Sequence, residues 1–377
     1  MIFYAYLGYP LSLFFISMFF ARERSTENLK ELPPVSLLIS AYNEEKVIKD
    51  KIENSLLLDY PKELLEIVVI SDGSTDRTEE IVKQYSDQGV LLRSYPGRIG
   101  KTACLNRAVP LAKGEIVVFS DANSKYDKYA IKESVKHFGN EQIGFVTGMT
   151  KYVSGDGGDA AGAISLYSKL EIATKKMESK INSCIGADGA VFAIRKRLFQ
   201  PLDDADINDL VIPLNIIRQG YRGVLEEKAF CTESSANGQK GEFRRQERIS
   251  NRTIRAIFRN RDMLNPINSG IFAFELFSHK LTKFFVPFFL IILLATNIFL
   301  ARKGFLHGFL LVAQLLFYFL AFLGAARRLS IGLSKLTSFC HTFVNTNLAI
   351  IYGWIGYFRG RRFTTWASYG GYESSGW

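Results

Sequence analysis

Cysteine is scarce in this chain and widely scattered. Its four copies are Cys104, Cys184, Cys231 and Cys340, with no Cys-X-X-Cys and no neighbouring histidine pair. Neither a disulfide framework nor a zinc site fits that spacing, and a reducing cytosol does. Internal repeats and low-complexity tracts are missing, as is any recognition-helix, finger or RNA-binding signature, so nucleic acid is not an expected partner. The apolar N-terminal stretch lacks the basic n-region and small-residue cleavage site of a signal peptide. A phosphate-binding Walker loop fails by one residue. Gly97-Arg98-Ile99-Gly100-Lys101-Thr102 matches its end, but the glycine it needs at position 95 is Tyr95, which argues against an NTPase.

What the chain does have is apolar bulk in two places. Of 377 residues, 47% are apolar and 30 are phenylalanine, and these concentrate in residues 1–20 and beyond 284. Segments of that length suit lipid better than a larger core. The net charge of +10 beside them points to anionic headgroups or phosphorylated substrates. Residues 1–20, broken only by Pro10, read as a span, and Arg22 and Arg24 place the downstream side in the cytoplasm. Residues 284–300 and 304–326 read as two more spans joined at Arg302-Lys303. Residues 336–358 are interrupted by His341, Asn345 and Asn347. A crossing there would put Arg359, Arg361 and Arg362 outside, so a re-entrant or interfacial segment is expected. The layout is therefore an N-terminal transmembrane helix over 1–21 and an α/β domain over 33–243. Amphipathic interfacial helices follow over 244–283, two transmembrane helices over 284–326, the apolar segment 336–358, and a cytoplasmic tail over 359–377.

Strand and helix signals alternate from 35 to 120 in a βαβαβαβ order, which predicts a mostly parallel, doubly wound sheet with helices on both faces. The strand 116–119 runs into Asp121-Ala122-Asn123 at the carboxyl edge, where open α/β sheets bind ligands. An aspartate and an amide two residues apart can direct oxygens at Mg²⁺ or Mn²⁺, with substrate phosphates filling the shell. Asp72, in the turn after the second strand, is placed to accept hydrogen bonds from a base or ribose. Lys101 is a point charge available to a diphosphate. Arg245, Arg248, Arg252, Arg255 and Arg259 step by three and four, a single helical face that reads as lying on a membrane surface.

Together these residues resemble the family 2 glycosyltransferases of the GT-A fold. The matches are Ser40-Ala41-Tyr42-Asn43-Glu44, Ser71-Asp72-Gly73-Ser74-Thr75-Asp76, Arg98-X-Gly100-Lys101, Asn106 and Asp121-Ala122-Asn123. The resemblance implies that Ala41, Tyr42, Glu44 and Asp72 hold the nucleoside of a sugar nucleotide. It implies that Arg98 lines the nucleotide site, that Lys101 meets the phosphates and that Asp121 binds the metal, with Asn123 in place of the family's more usual aspartate. Residues 186–195, with Asp188, look like the acceptor-side loop and strand. Asn208-Asp209 stands where the family carries its catalytic base, so Asp209 inherits that role by position, with Asp203, Asp204 and Asp206 as chemical rivals. Arg245, Gln246 and Arg248 lie where processive members carry a Gln/Arg-rich motif on the acceptor and diphosphate, and Ile249 replaces its tryptophan. Trp366 is similar to a tryptophan loop that covers the site in polysaccharide synthases.

The expectation is a multi-pass cell-membrane enzyme with its catalytic domain in the cytoplasm. It would be an inverting transferase, dependent on Mg²⁺ or Mn²⁺, that moves a sugar from a nucleotide sugar, a UDP-sugar first, to a growing surface polysaccharide. A single addition to a lipid-linked glycan is the alternative, and a catalytically silent membrane scaffold the alternative of another class.

Overall fold

The computed structural model describes residues 1–20, 29, 31–153, 160–234, 239–325 and 331–365. The expectations for Arg22, Arg24 and Trp366 lie outside them. Eight strands form one sheet: β1 (Val35–Ala41), β2 (Leu65–Ser71), β3 (Val90–Ser94), β4 (Ile116–Asp121), β5 (Lys125–Tyr126), β6 (Ile143–Val153), β7 (Val191–Arg195) and β8 (Arg222–Ser234). Their order is β3-β2-β1-β4-β7-β6-β8-β5. The first four pair in parallel, as crossover helices require. β7 then runs antiparallel to both β4 and β6. The sheet is accordingly mixed: a parallel half built by the alternating segment, and a second half in which β6 and β8 are parallel and β7 reverses.

In chain order the helices are α1 (Tyr4–Phe20), α2 (Ile48–Leu56), α3 (Thr78–Lys83), α4 (Lys101–Ala108), α5 (Ala130–Val135), α6 (Ala160–Ile181), α7 (Asn208–Arg218), α8 (Gln239–Arg259), α9 (Ile271–Lys303), α10 (Phe305–Ala325) and α11 (Ile331–Phe358). Each strand feeds alternate residues to two cores. Leu37, Ile39, Val69 and Val118 pack under α2, α3 and α5. Leu38, Val68, Val117, Phe119 and Phe192 pack with α4 and α7. That second core also takes in Phe272, Leu276 and Leu281 of α9, so the first apolar helix starts inside the sheet domain's core.

Among the described residues two helices, α9 and α10, are long and apolar enough to cross a membrane. α9 begins at Ile271, well before the expected residue 284, because its first turns pack on the domain. α1 is shorter, about 25 Å at 1.5 Å per residue. The segment 336–358 belongs to one unbroken 28-residue helix, α11. It lies along α8, and the approach is close because it presents glycine: a Cβ on Gly353 would meet Ser250 Cβ at 2.7 Å. Asn251 Nδ2 donates to Gly353 O over 3.2 Å, and Trp354 Nε1 donates to Phe284 O over 2.9 Å.

This corrects the reading of α8 as a helix whose arginine stripe rests on headgroups. Ser250, Asn251, Arg252, Ile254, Ala256 and Ile257 are buried, and of the stripe Arg252 is enclosed by protein while Arg259 stays exposed. An arginine ladder needs acceptors, and the loop 203–206 and the tail supply them.

At Gly148, where β6 and β8 change register between Thr147 and Met149, a Cβ would stand 1.9 Å from Ala229 O. Gly148→Ala is expected to cost about 2 kcal/mol or more, read as a lower melting temperature of the detergent-purified chain. An unchanged melting temperature would count against this β6–β8 packing.

Candidate active site

The parallel register sets Ala41 beside Ser71 and Ser40 beside Asp121, so three strand-end turns open on one edge. Two of them are locked together. Asn43 takes φ 51°, a left-handed conformation that asparagine tolerates, and its Oδ1 accepts from Thr75 N at 2.7 Å. Asn43 N donates to Ser74 Oγ at 3.1 Å, Glu44 N to Thr78 Oγ1 at 2.8 Å and Glu45 N to Asp76 Oδ2 at 3.0 Å. Ala41 and Glu44 are buried in this ledge. The Arg98 guanidinium covers the Tyr42 ring at 4.0 Å from its centroid.

Asp72 does something the residue pattern did not indicate. It is fully buried, and its Oδ1 accepts from Ile99 N at 2.8 Å, Gly100 N at 3.0 Å and Cys104 Sγ at 3.4 Å. The carboxylate therefore anchors the loop 97–101, where the expectation had it facing a nucleoside. The physical reason is desolvation: a carboxylate this deep must be satisfied by local donors. Burial and this neighbouring carboxylate also push the Cys104 thiol well up.

Asp121 forms an ion pair with Lys101, the first residue of α4. Asn123 is half-buried on the same turn, which is fastened from below. Lys51, buried in α2, donates to Ser124 O at 2.6 Å and sits over the Tyr126 ring at 3.9 Å. Ser124 Oγ donates to Glu233 Oε1 at 2.6 Å. Burial lowers the Lys51 pKa to about 7, although Cys231, Asp121 and Glu233 oppose the shift. No cluster of three His, Cys, Asp or Glu ligands exists among the described residues. One carboxylate and one amide do fit a hard cation that draws the rest of its shell from a diphosphate.

On the far side of β4, the loop 186–189 docks on Asp209 in the first turn of α7. Ala187 N donates to Asp209 O over 2.7 Å. A Cβ on Gly189 would lie 3.1 Å from Asp209 Oδ2, so glycine keeps that carboxylate accessible. Asp209 Oδ1 is shut from solvent and accepts no hydrogen bond among the described residues. Burial lifts its carboxyl above the usual aspartate range, and the charges of Lys101, Lys280, Arg252 and Lys175 restrain the rise. The three rivals differ. Asp203 pairs with Arg259 and Arg362, and Asp206 with Arg259. Asp204 is exposed. Asp188 accepts from Thr150 N at 2.8 Å and Thr150 Oγ1 at 2.9 Å, holding the loop to β6.

Along α8, Gln246 Nε2 donates to Glu242 Oε1 over 2.6 Å and Arg245 pairs with the same carboxylate. Arg245 also lies in the field of the Tyr152 hydroxyl of β6, and Arg248 sits close enough to Arg252 for their charges to interact. Arg252 is buried, donating to Thr102 Oγ1 at 3.0 Å and to Asp206 O. Beyond α11 the chain returns to this edge. Arg361 pairs with Glu247 at 3.2 Å and Arg362 with Asp203 at 2.5 Å. A Cβ on Gly100 would meet Thr364 O at 2.3 Å.

A sheet with acidic turns at one edge and a reversed β7 beside them defines the GT-A fold. A mannosyltransferase, PcManGT from Pyrobaculum calidifontis in complex with GDP-Man and Mn²⁺, shares it with a TM-score of 0.71 at 20% identity, over 96% of this chain and 98% of that one. Residues 36–202 match the family model of glycosyl transferase family 2. The protein named probable glycosyltransferase YdaM of Bacillus subtilis (strain 168) is 30% identical over 210 residues, 52% of this chain and 49% of that protein. A beta-monoglucosyldiacylglycerol synthase of Nostoc sp. (strain PCC 7120 / SAG 25.82 / UTEX 2576) is 36% identical over 142 residues, 36% of this chain and 30% of that protein. The chain thus spans about half the length of the first of these relatives, and less of the second.

Asp72→Asn leaves a single acceptor oxygen for these donors. It is expected to destabilise the chain by roughly 1–3 kcal/mol and to speed hydrogen exchange at the Ile99 and Gly100 amides. Unaltered exchange there would refute the anchoring role.

Proposed function

We propose that this protein is an inverting, metal-dependent glycosyltransferase that moves a sugar from a nucleotide-sugar donor to a glycan acceptor at the cytoplasmic face of a membrane. Asp209 is the observation that carries the reading. A solvent-shielded carboxylate oxygen without a hydrogen bond is a poor structural element and a good general base. Lys101 ties it to the donor side, since that one ammonium pairs with Asp121 and acts on Asp209.

In this reading the ledge of Ala41, Tyr42 and Glu44 receives the nucleoside, with Asp72 setting the loop beside it. Arg98 and Lys101 face the diphosphate. Asp121 and Asn123 would hold Mg²⁺ or Mn²⁺, which supplies positive charge to the leaving diphosphate. Asp188, Arg245, Gln246 and Arg248 border the acceptor. Asp209 takes the proton of an acceptor hydroxyl as that oxygen bonds to the anomeric carbon and the carbon–oxygen bond to the diphosphate breaks. A lone base without a covalent partner gives inversion.

Extension of a surface polysaccharide and single addition to a lipid-linked acceptor both fit this chemistry. Ile249 favours the second, because it offers no ring for a sugar to stack on. The name of the Nostoc relative, a diacylglycerol glycolipid synthase, agrees with a lipid-borne acceptor. Product analysis decides: one added sugar supports the second reading, and a ladder of long chains the first. A hydrolysis screen over UDP-, GDP- and dTDP-sugars identifies the donor.

Asp209→Asn is expected to lower transfer by 10²–10⁴-fold, about the worth of a general base, with nucleotide binding intact. It should also raise the melting temperature, because a carboxylate whose folded-state pKa is raised costs stability once ionised at neutral pH. Full turnover in the variant would remove the base. The unprotonated form does the work, so kcat/KM should fall on acidification. The midpoint should lie above the value of about 3.9 for a free aspartate. A profile flat down to that value would contradict the assignment. EDTA should abolish transfer and added Mg²⁺ or Mn²⁺ restore it, and metal-independent turnover would discredit the role of Asp121.

A further inference from the structure

Where α6 meets the start of α9, lysines cluster around a single directly paired acid. Glu171 of α6 has Lys283 Nζ at 2.9 Å, His279 Nε2 at 2.9 Å and Lys280 Nζ at 3.8 Å. Lys175 lies four residues on, on the same face of α6, within the field of that carboxylate. Among the described residues the Lys175 ammonium makes neither an ion pair nor a hydrogen bond. The next acid on this face, Glu178, is committed: it accepts from Tyr9 Oη at 2.7 Å and Ile185 N at 3.1 Å, and contacts His279 Nδ1 at 2.6 Å. Three ammonium groups therefore gather around Glu171, with Lys175 also in the fields of Asp188 and Glu178 and Lys280 in that of Asp209. Two of them, Lys175 and Lys280, also act on Asp209. The remaining cations near that base are engaged, Lys101 by Asp121 and Arg252 by Asp206 O and Thr102.

The backbone aims the cluster at this spot. Phe277–Leu281 is a π-helical turn at the start of α9, a geometry often found at functional positions because the extra residue turns side chains out of helical register. Here it carries His279 and Lys280 against α6. Charge at the head of an apolar helix is costly near lipid and persists where it has a task. A neutral acceptor would leave Lys175 unmatched and Lys280 with only a 3.8 Å contact.

We propose that Lys175 and Lys280 form an anion subsite on the acceptor side, which takes the phosphate or pyrophosphate joining an acceptor glycan to its lipid. This rests on the glycosyltransferase reading above and names its acceptor class. The phosphate is a spectator, and no bond to phosphorus changes. It positions the acceptor hydroxyl, whose proton passes to Asp209 while the donor's glycosidic bond to the diphosphate breaks.

The test uses the full chain in a neutral maltoside detergent, titrated with decyl phosphate, decanol and inorganic phosphate. Decyl phosphate should bind at least tenfold more tightly than decanol. Lys175→Gln and Lys280→Gln should each lose that preference, Lys280→Arg should keep it, and Lys303→Gln at the other end of α9 should not alter it. Competition by millimolar inorganic phosphate would show that the anion alone suffices, and lack of competition that the alkyl chain is needed. The subsite stands in both cases. Equal binding of decyl phosphate and decanol, or unchanged affinity in Lys175→Gln, overturns it. The Lys175 variant decides alone if Lys280→Gln fails to fold. UDP and GDP binding to the same samples is read separately: nucleotide binding without decyl phosphate preference sinks the subsite only, and no nucleotide binding in the parent chain sinks the donor reading only.

Discussion

A carboxylate removed from water must be met by donors, and Asp72 takes nearly all of its own from one short loop. Its amide meanwhile donates to Ala41 O at 3.0 Å, so this residue joins the end of β1 to residues 97–101. The loop opens directly into α4, and α4 carries the link onward. Lys101 reaches Asp121, Thr102 Oγ1 donates to Asp206 O at 2.9 Å, and Asn106 clamps Leu202 through bonds of 2.7 and 2.9 Å. A continuous set of polar contacts thus runs from the nucleoside ledge to the loop preceding Asp209. Effective transfer in the proposed reaction needs donor and base held to within fractions of an ångström, and this path adds polar constraint to the apolar core the two halves share through Phe119 and Phe192.

The acceptor half is built on an opposite principle. Asp203 and Asp206 are matched with arginines and so serve as fixed posts, whereas Asp209 is shielded from solvent, surrounded by cations at longer range, and left without a hydrogen bond on Oδ1. Because burial raises its carboxyl above the usual aspartate range, its charged form opposes folding, and the neighbouring cations offset part of that cost. Active sites concentrate such conflicts because the same unsatisfied oxygen that weakens the fold is free to take a proton.

Much of the donor half was legible because parallel strands reveal themselves as short apolar runs, and a sheet's carboxyl edge follows from strand order alone. Asp121 and the glycine-rich turns could be placed that way. The direction of the Asp72 side chain could not, since it depends on where a loop 27 residues later folds back. Lys51 looked like any polar residue on a short helix, and only the burial of α2 against the Asp121 turn makes it a brace. The arginine stripe of α8 showed its 3.6-residue period plainly, but periodicity identifies a face without naming what covers it. Here Gly353 and the tail decided the matter. The His279–Lys280 turn carried a faint signal in charges interrupting an apolar stretch, and their partners on α6 lie more than 90 residues away.

The shared core has a consequence for where the acceptor must come from. Phe272, Leu276 and Leu281 at the head of α9 pack in the same cluster as Val117, Phe119 and Phe192 of the sheet, so the apolar helix and the strand bearing Asp121 cannot slide relative to each other without breaking close packing. α8 and α11 reinforce this, with Trp354 bonded to Phe284 O. The distance from Asp209 to the apolar run of α9 is then fixed. On the proposed reading, an acceptor tethered in a bilayer would reach Asp209 only if its own rigid portion spanned that distance. Lysines at the foot of the cleft would set the register of such a molecule by its one strongly charged group, leaving the hydroxyl at the other end to find the carboxylate.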